Sequence, residues 1–128
     1  MSKKLTVAAL LERKEQLTNR ANVTAEIYIP SLDAEIVIQK PSRALCLEVL
    51  AMAQDDSKED KADLHMAYNC IVEPNLKDPG LQKEFGCVEP YDIVEKLFET
   101  GEIGSISGHC LKLAGFSDGV KLVKELKN

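Results

Sequence analysis

The chain has 128 residues and a mass of 14.1 kDa, enough for one domain with a real core. Its 45% hydrophobic and 29% charged residues are ordinary for a globular protein. A formal net charge of -5 and a pI near 5.1 repel a phosphate backbone, which argues against a general nucleic-acid binder.

No apolar run approaches membrane-spanning length. Lys3-Lys4 is basic, but Glu12-Arg13-Lys14-Glu15 interrupts any apolar run that a signal peptide would need. The expected compartment is the cytoplasm.

Leu5 to Arg20 reads as one amphipathic helix. Val7, Leu10, Leu11 and Leu17 fall near one stripe, with Glu12, Arg13, Glu15 and Arg20 off it. The favoured reading packs this helix on its own domain; the alternative is a partner-binding arm. Ile27 and Ile29 then alternate with Glu26 and Tyr28, and Ile36 and Ile38 with Glu35, Val37 and Gln39. Period-two alternation across Pro30-Ser31-Leu32-Asp33 predicts a β-hairpin over 23–40, closed by Pro30 and Pro41. A lone hairpin is marginal in water, so its isoleucine face is expected to cover helices. One hairpin edge is left for pairing with another chain.

Ser42 is a good N-cap for a helix over 43–54, with Leu45, Cys46, Val49, Leu50 and Ala53 on one side. Asp55 to Glu59 is polar and predicts a loop. Asp60 can cap the next helix, whose stripe is Leu64, Ala67, Tyr68, Ile71 and Val72, ending before Pro74. Asp78-Pro79 starts a short helix anchored by Leu81 and Phe85 and ended by Gly86. Pro90 starts another, with Ile93, Val94, Leu97 and Phe98 inward. Ile103, Ile106, Cys110 and Leu113 mark a helix that ends at Gly115. Ser117 caps a last helix carrying Val120, Val123 and Leu126. The expected class is α+β: mainly short α-helices with one β-hairpin in the N-terminal half. The domain organisation is a single unit over 1–128, made of an N-terminal helix (1–22), the hairpin (23–40) and a helical part (42–128).

The residues for catalysis do not assemble. His65 and Cys70 are five apart and fall on different helix faces, as do the adjacent His109 and Cys110. Gly101, Gly104 and Gly108 lack the strand, lysine and hydroxyl context of a phosphate-cradling loop. Cys46, Cys70, Cys87 and Cys110 are widely spaced and contain no Cys-x-x-Cys pair, so they read as small buried apolar residues. No cofactor or metal is expected. The segment 90–114 has the outline of a helix-turn-helix with Gly101 in the turn. A recognition helix carries Arg, Lys, Asn or Gln near its start; here stand Glu102, Ser105 and Ser107. A small DNA-binding regulator is therefore the second reading.

Several turns and caps, in their order, point further. They are Tyr28-Ile29-Pro30-Ser31-Leu32, Gln39-Lys40-Pro41-Ser42, Val72-Glu73-Pro74-Asn75-Leu76-Lys77-Asp78, Leu81-Gln82 and Gly101-Glu102-Ile103. With these the chain, from about Leu10 to Phe116, resembles the XkdN-like family of phage tail assembly chaperones. The resemblance implies a non-enzymatic role in a bacterial host. Such chaperones are thought to coat the tape measure protein until tail tube protein polymerises around it, and they are absent from the finished tail. In many tail systems a longer form arises by ribosomal frameshifting. A chaperone for a long amphipathic chain is expected to offer an apolar groove. Its expected walls are the helices Tyr91–Phe98 and Ile103–Ala114. Gly104 and Gly108, one turn apart, leave room for a close neighbour, with Tyr91 and Ile103 beside them. The other reading of those glycines is that they pack the two helices together.

Metal analysis of protein purified without added metal is expected to find no stoichiometric zinc. One zinc per chain, with unfolding on chelation, would overturn the structural reading of the cysteines.

Overall fold

The computed structural model describes residues 3–116, and the helix expected after Ser117 lies outside them. The class is α+β, with short helices and a small antiparallel sheet in the N-terminal half. The first helix differs from expectation. Two six-residue turns, α1 (Val7–Glu12) and α2 (Lys14–Asn19), are broken at Arg13, and a 3-10 turn over Arg20–Asn22 follows. Thr6 caps α1, its hydroxyl accepting from the Ala9 N–H at 3.2 Å. Neither helix buries a residue. Helices this short are marginal in water, and neither turn buries a side chain that would hold the two in line.

The hairpin has the expected alternation. Strand β1 (Thr24–Ile29) pairs antiparallel with β2 (Ala34–Gln39), in register from Thr24 opposite Gln39 to Ile29 opposite Ala34. Ile29, Ile36 and Ile38 are buried, while Thr24, Glu26 and Tyr28 face solvent. The turn is Pro30–Leu32 followed by Asp33 at φ 46. Asp33 tolerates that left-handed geometry and accepts the Tyr28 O–H at 2.6 Å.

Two helices follow. Ser42 caps α3 (Arg43–Ala53) by accepting the Leu45 N–H at 3.1 Å. α4 (Glu59–Cys70) starts one residue before the expected cap, so Asp60 lies in its first turn and interacts with the helix dipole. α4 also stops earlier than its stripe suggested. Ile71 and Val72 belong to a strand, β3 (Ile71–Glu73), which pairs antiparallel with β2. The strand order is β1-β2-β3, so β2 is central and the hairpin edge left open is that of β1. Lys40 N–H donates to the Val23 carbonyl at 2.8 Å. Bonding alternates along an antiparallel pair, so Thr24, Glu26 and Tyr28 turn their backbone groups outward.

Asp78 caps α5 (Pro79–Glu84) through the Leu81 N–H at 2.9 Å, and Gly86 leaves the helix at φ 67. Of the two expected anchors, Leu81 packs against the core beside Leu76, whereas Phe85 is 42% exposed. α6 is short (Asp92–Leu97), and α7 (Thr100–Leu113) opens with a capping box between Glu99 and Glu102. α4 packs against α3, α6, α7 and β3. Met66, Ala67, Cys70, Ile93, Val94 and Cys110 are fully buried around it.

Glu102 also ties the hairpin to this helical body. It accepts from the Ser31 hydroxyl at 2.6 Å and the Ser31 N–H at 2.9 Å, as well as the Glu99 N–H at 3.0 Å. The Ser31 hydroxyl, then the Ser31 and Glu99 N–H groups, hold its carboxyl below the usual carboxylate range. A depressed folded value means that this stabilisation is full above the unfolded carboxylate pKa and is lost as pH falls through the folded one.

Two outcomes follow from this packing. Ile38→Ala empties a fully buried site and is expected to cost about 2–5 kcal/mol in a urea titration. Glu102→Gln is expected to lower the melting temperature at neutral pH and to converge with wild type in acid. An equal deficit at every pH would contradict the role given to the charge.

Candidate partner-binding surfaces

His65 of α4 lies between α3 and the start of α6. Its Nδ1 is hydrogen-bonded to the Tyr91 hydroxyl, and its Nε2 lies 3.2 Å from a Glu48 carboxylate oxygen without hydrogen-bond alignment. An Nε2–H facing that carboxylate leaves Nδ1 to accept the tyrosine O–H. The Tyr91 ring packs 5.4 Å from the His65 ring and 4.9 Å from the Tyr68 ring. The Asn69 amide donates to the His65 carbonyl at 2.8 Å. The Cys70 thiol, five positions on, points to Met66 Sδ at 3.4 Å. The cluster pins α3 and α6 onto α4. Sequence reasoning missed it because its members are brought together only by the packing of three helices.

Cys46, Cys70 and Cys110 also converge, from three different helices, and all are buried. Burial, then the neighbouring Cys70, pushes the Cys46 thiol up. The Cys70 contact and burial hold Cys110 well above the usual thiol range. The raised Cys46 and Cys110 thiols are neutral at pH 7, whereas the Cys110 contact lowers the Cys70 thiol from its ordinary value. Among the described residues, no group of three or more His, Cys, Asp or Glu side chains could hold a metal ion.

The four residues expected to contact a partner do not share one groove. Ile103 is 8% exposed and belongs to the core, and Tyr91 is engaged with His65. Gly104 and Gly108 lie on the solvent face of α7 together with Gly101. A Cβ on Gly101 or Gly108 would meet nothing within 4 Å, and one on Gly104 would meet only Asp63 Oδ2 at 3.8 Å. The glycines therefore do not serve to pack α6 against α7, and that alternative fails on geometry. The first two turns of α7 carry Glu102 and no basic side chain, so the helix lacks the groups that read bases.

Uncovered apolar side chains occur elsewhere. Leu5, Val7, Leu10 and Leu11 are all exposed, which contradicts the expectation that the first helix packs on its own domain. Val88 is 91% exposed on a loop held in place by Asp92, whose carboxylate accepts the Val88 and Glu89 N–H groups at 3.0 Å each. Two concavities are present. A hollow of about 990 Å³ lies beside the β2–α3 turn, lined in part by Pro41, Leu45, Cys46, His65 and Phe116. A smaller one of about 300 Å³ runs between β1 and α7. No helix among the described residues is long and apolar enough to cross a membrane.

The comparisons with known proteins bear on this surface. A solved crystal structure of the protein yqbn superposes with a TM-score of 0.53, covering 73% of this chain and 87% of that one. At 12% identity, it shows a shared fold alone. No protein of curated function matches the chain. The family profile described as phage XkdN-like tail assembly chaperone protein matches residues 43–127, from the start of α3 onward. The hairpin and the N-terminal turns lie outside that span, although motifs within the hairpin contribute to the resemblance seen in the sequence. The matched span covers most of the chain, and the protein belongs to the XkdN-like family of phage tail assembly chaperones.

Proposed function

We propose that this protein, acting as one domain, is a non-catalytic chaperone that holds the tape measure protein soluble in the host cytoplasm. It releases that chain to the tail tube protein during assembly and is left out of the virion. Family membership supports the assembly role. The observation that carries the mode of contact is the bare backbone of α7. Gly101, Gly104 and Gly108 stand inside a helix, where glycine costs about 0.5–1 kcal/mol relative to alanine. Among the described residues nothing packs on Gly101 or Gly108, where a Cβ would meet no atom within 4 Å. A helix without side chains on one face lets a second helix approach closely. The amphipathic tape measure chain lies along this face, and apolar burial rather than charge holds it.

Gly108→Leu separates stability from binding. The added side chain enters open space and improves helix propensity, so the melting temperature is expected to hold or rise. Tape measure protein co-expressed with this variant is expected to fall out of solution. A variant that keeps its partner soluble would remove the glycine face from the mechanism. Moderate salt is expected to leave the complex intact, because screening weakens charge contacts and not apolar burial.

A further inference from the structure

Three of the four cysteines meet where α3, α4 and α7 come together, and Cys46, Cys70 and Cys110 are all buried. α4 and α7 run side by side in the same direction. Asp63 Oδ2 lies beside Gly104 near their starts, and the Cys70 thiol touches the Cys110 thiol near their ends. One turn before those thiols stand Ala67 on α4 and Ser107 on α7, both small and both buried. Small side chains let helix axes approach, and close backbones are what a bridge between two cysteines needs. Between Cys46 and Cys70 only a charge interaction operates.

The pair has a route to solvent. The hollow of about 990 Å³ beside the β2–α3 turn reaches Cys46 and Cys70, whereas Cys110 does not line it. Gln39, Lys40, Arg43 and Asn69 make part of its lining polar, so it admits water and small polar molecules of similar size. The Cys110 contact lowers the Cys70 thiol, against burial, which raises it. The thiolate is the reactive form, so Cys70 is the attacking group of the three. We infer that Cys70 and Cys110 form a redox latch: hydrogen peroxide entering through the hollow converts the two thiols to a disulfide that ties α4 to α7. Cys70 loses its proton and its sulfur attacks one peroxide oxygen. The O–O bond breaks, one oxygen leaves as water, and the other stays on Cys70 as a sulfenic acid. The Cys110 sulfur then attacks the Cys70 sulfur. The S–O bond breaks, and the hydroxyl leaves with the Cys110 proton as a second water. The two thiols together give up two electrons, and one peroxide is reduced to two waters. Neither thiol has exposed surface, so attack needs a local opening at the floor of the hollow and is expected to be slower than oxidation of the half-buried Cys87. This latch does not depend on the tape measure reading.

The test uses the full chain, reduced and then treated with hydrogen peroxide until the Cys87 thiol is fully consumed, which reports that the oxidant has acted. Peptide mapping by mass spectrometry without reductant is expected to find the Cys70 and Cys110 peptides joined, with two hydrogens lost and no oxygen added. The melting temperature is expected to rise, because the bridge closes a loop of about forty residues in the unfolded chain. A dithiol reductant is expected to reverse that shift. Cys46→Ser is expected to keep both the bridge and the shift, and Cys110→Ala to lose both and leave oxygen on Cys70. The wild-type peptide map decides the matter even where a variant does not fold. Cys70 and Cys110 recovered as free thiols once Cys87 is consumed would overturn the inference. So would a bridge from Cys70 to Cys46, or oxygen fixed on Cys70 or on its neighbour Met66 in wild type without a bridge. A bridge that lowers the melting temperature would equally exclude a latch.

Discussion

α4 is the helix on which the other elements depend, because its burial cannot be met by one neighbour. Ala62, Leu64, Met66, Ala67 and Cys70 are all buried. At about 100° per residue, these positions spread over roughly 200° of the helix circumference. An arc that wide needs packing from several sides, and α3, α6, α7 and β3 supply it. Ala62 and Ala67 present little side chain, which lets neighbouring helices come close. The polar contacts of His65 and Asn69 with Tyr91 and the α4 backbone satisfy groups at the margin of this packing. The interior therefore holds several helices together around one.

The sheet is tied to this body at two points. β3 continues directly from the end of α4 and pairs with β2, which makes the hairpin one side of a three-stranded sheet. Glu102 then fastens the hairpin turn to the first turn of α7 through Ser31, a link across 71 positions of sequence. The same carboxylate completes the α7 capping box. One side chain thus serves a local helix end and a distant turn, and its charge is well placed at the positive end of the helix dipole.

The proposed function rests on what the fold leaves uncovered. Here the unusual surface features are apolar or bare: the leucines of the arm, Val88 on its fixed loop, and the glycine face of α7. Each sacrifices some solubility or helix stability of the isolated chain. On the proposed function, partner burial offsets what the isolated chain forgoes.

The caps and stops were legible from residue order. Ser42, Asp78-Pro79 and Gly86 act through hydrogen bonds and dihedral preferences that span three or four residues, so their neighbours in sequence are their neighbours in space. The hairpin was legible for the same reason, because its strands are joined by a short turn and show period two. The XkdN-like resemblance drew on these junctions, and the matched span from residue 43 contains several of them. Tertiary packing decided the rest. Ile71 and Val72 fit the stripe of α4, yet β2, more than thirty positions away, draws them into a strand. The break at Arg13 and the exposure of the arm depend on what packs against the segment, which no periodicity within it can register. The convergence of Cys46, Cys70 and Cys110, and the direction faced by Gly104 and Gly108, depend on how α3, α4 and α7 are turned against one another. A hydrogen bond within one helical turn is set by the chain itself, whereas burial is set by whichever distant elements arrive to provide it.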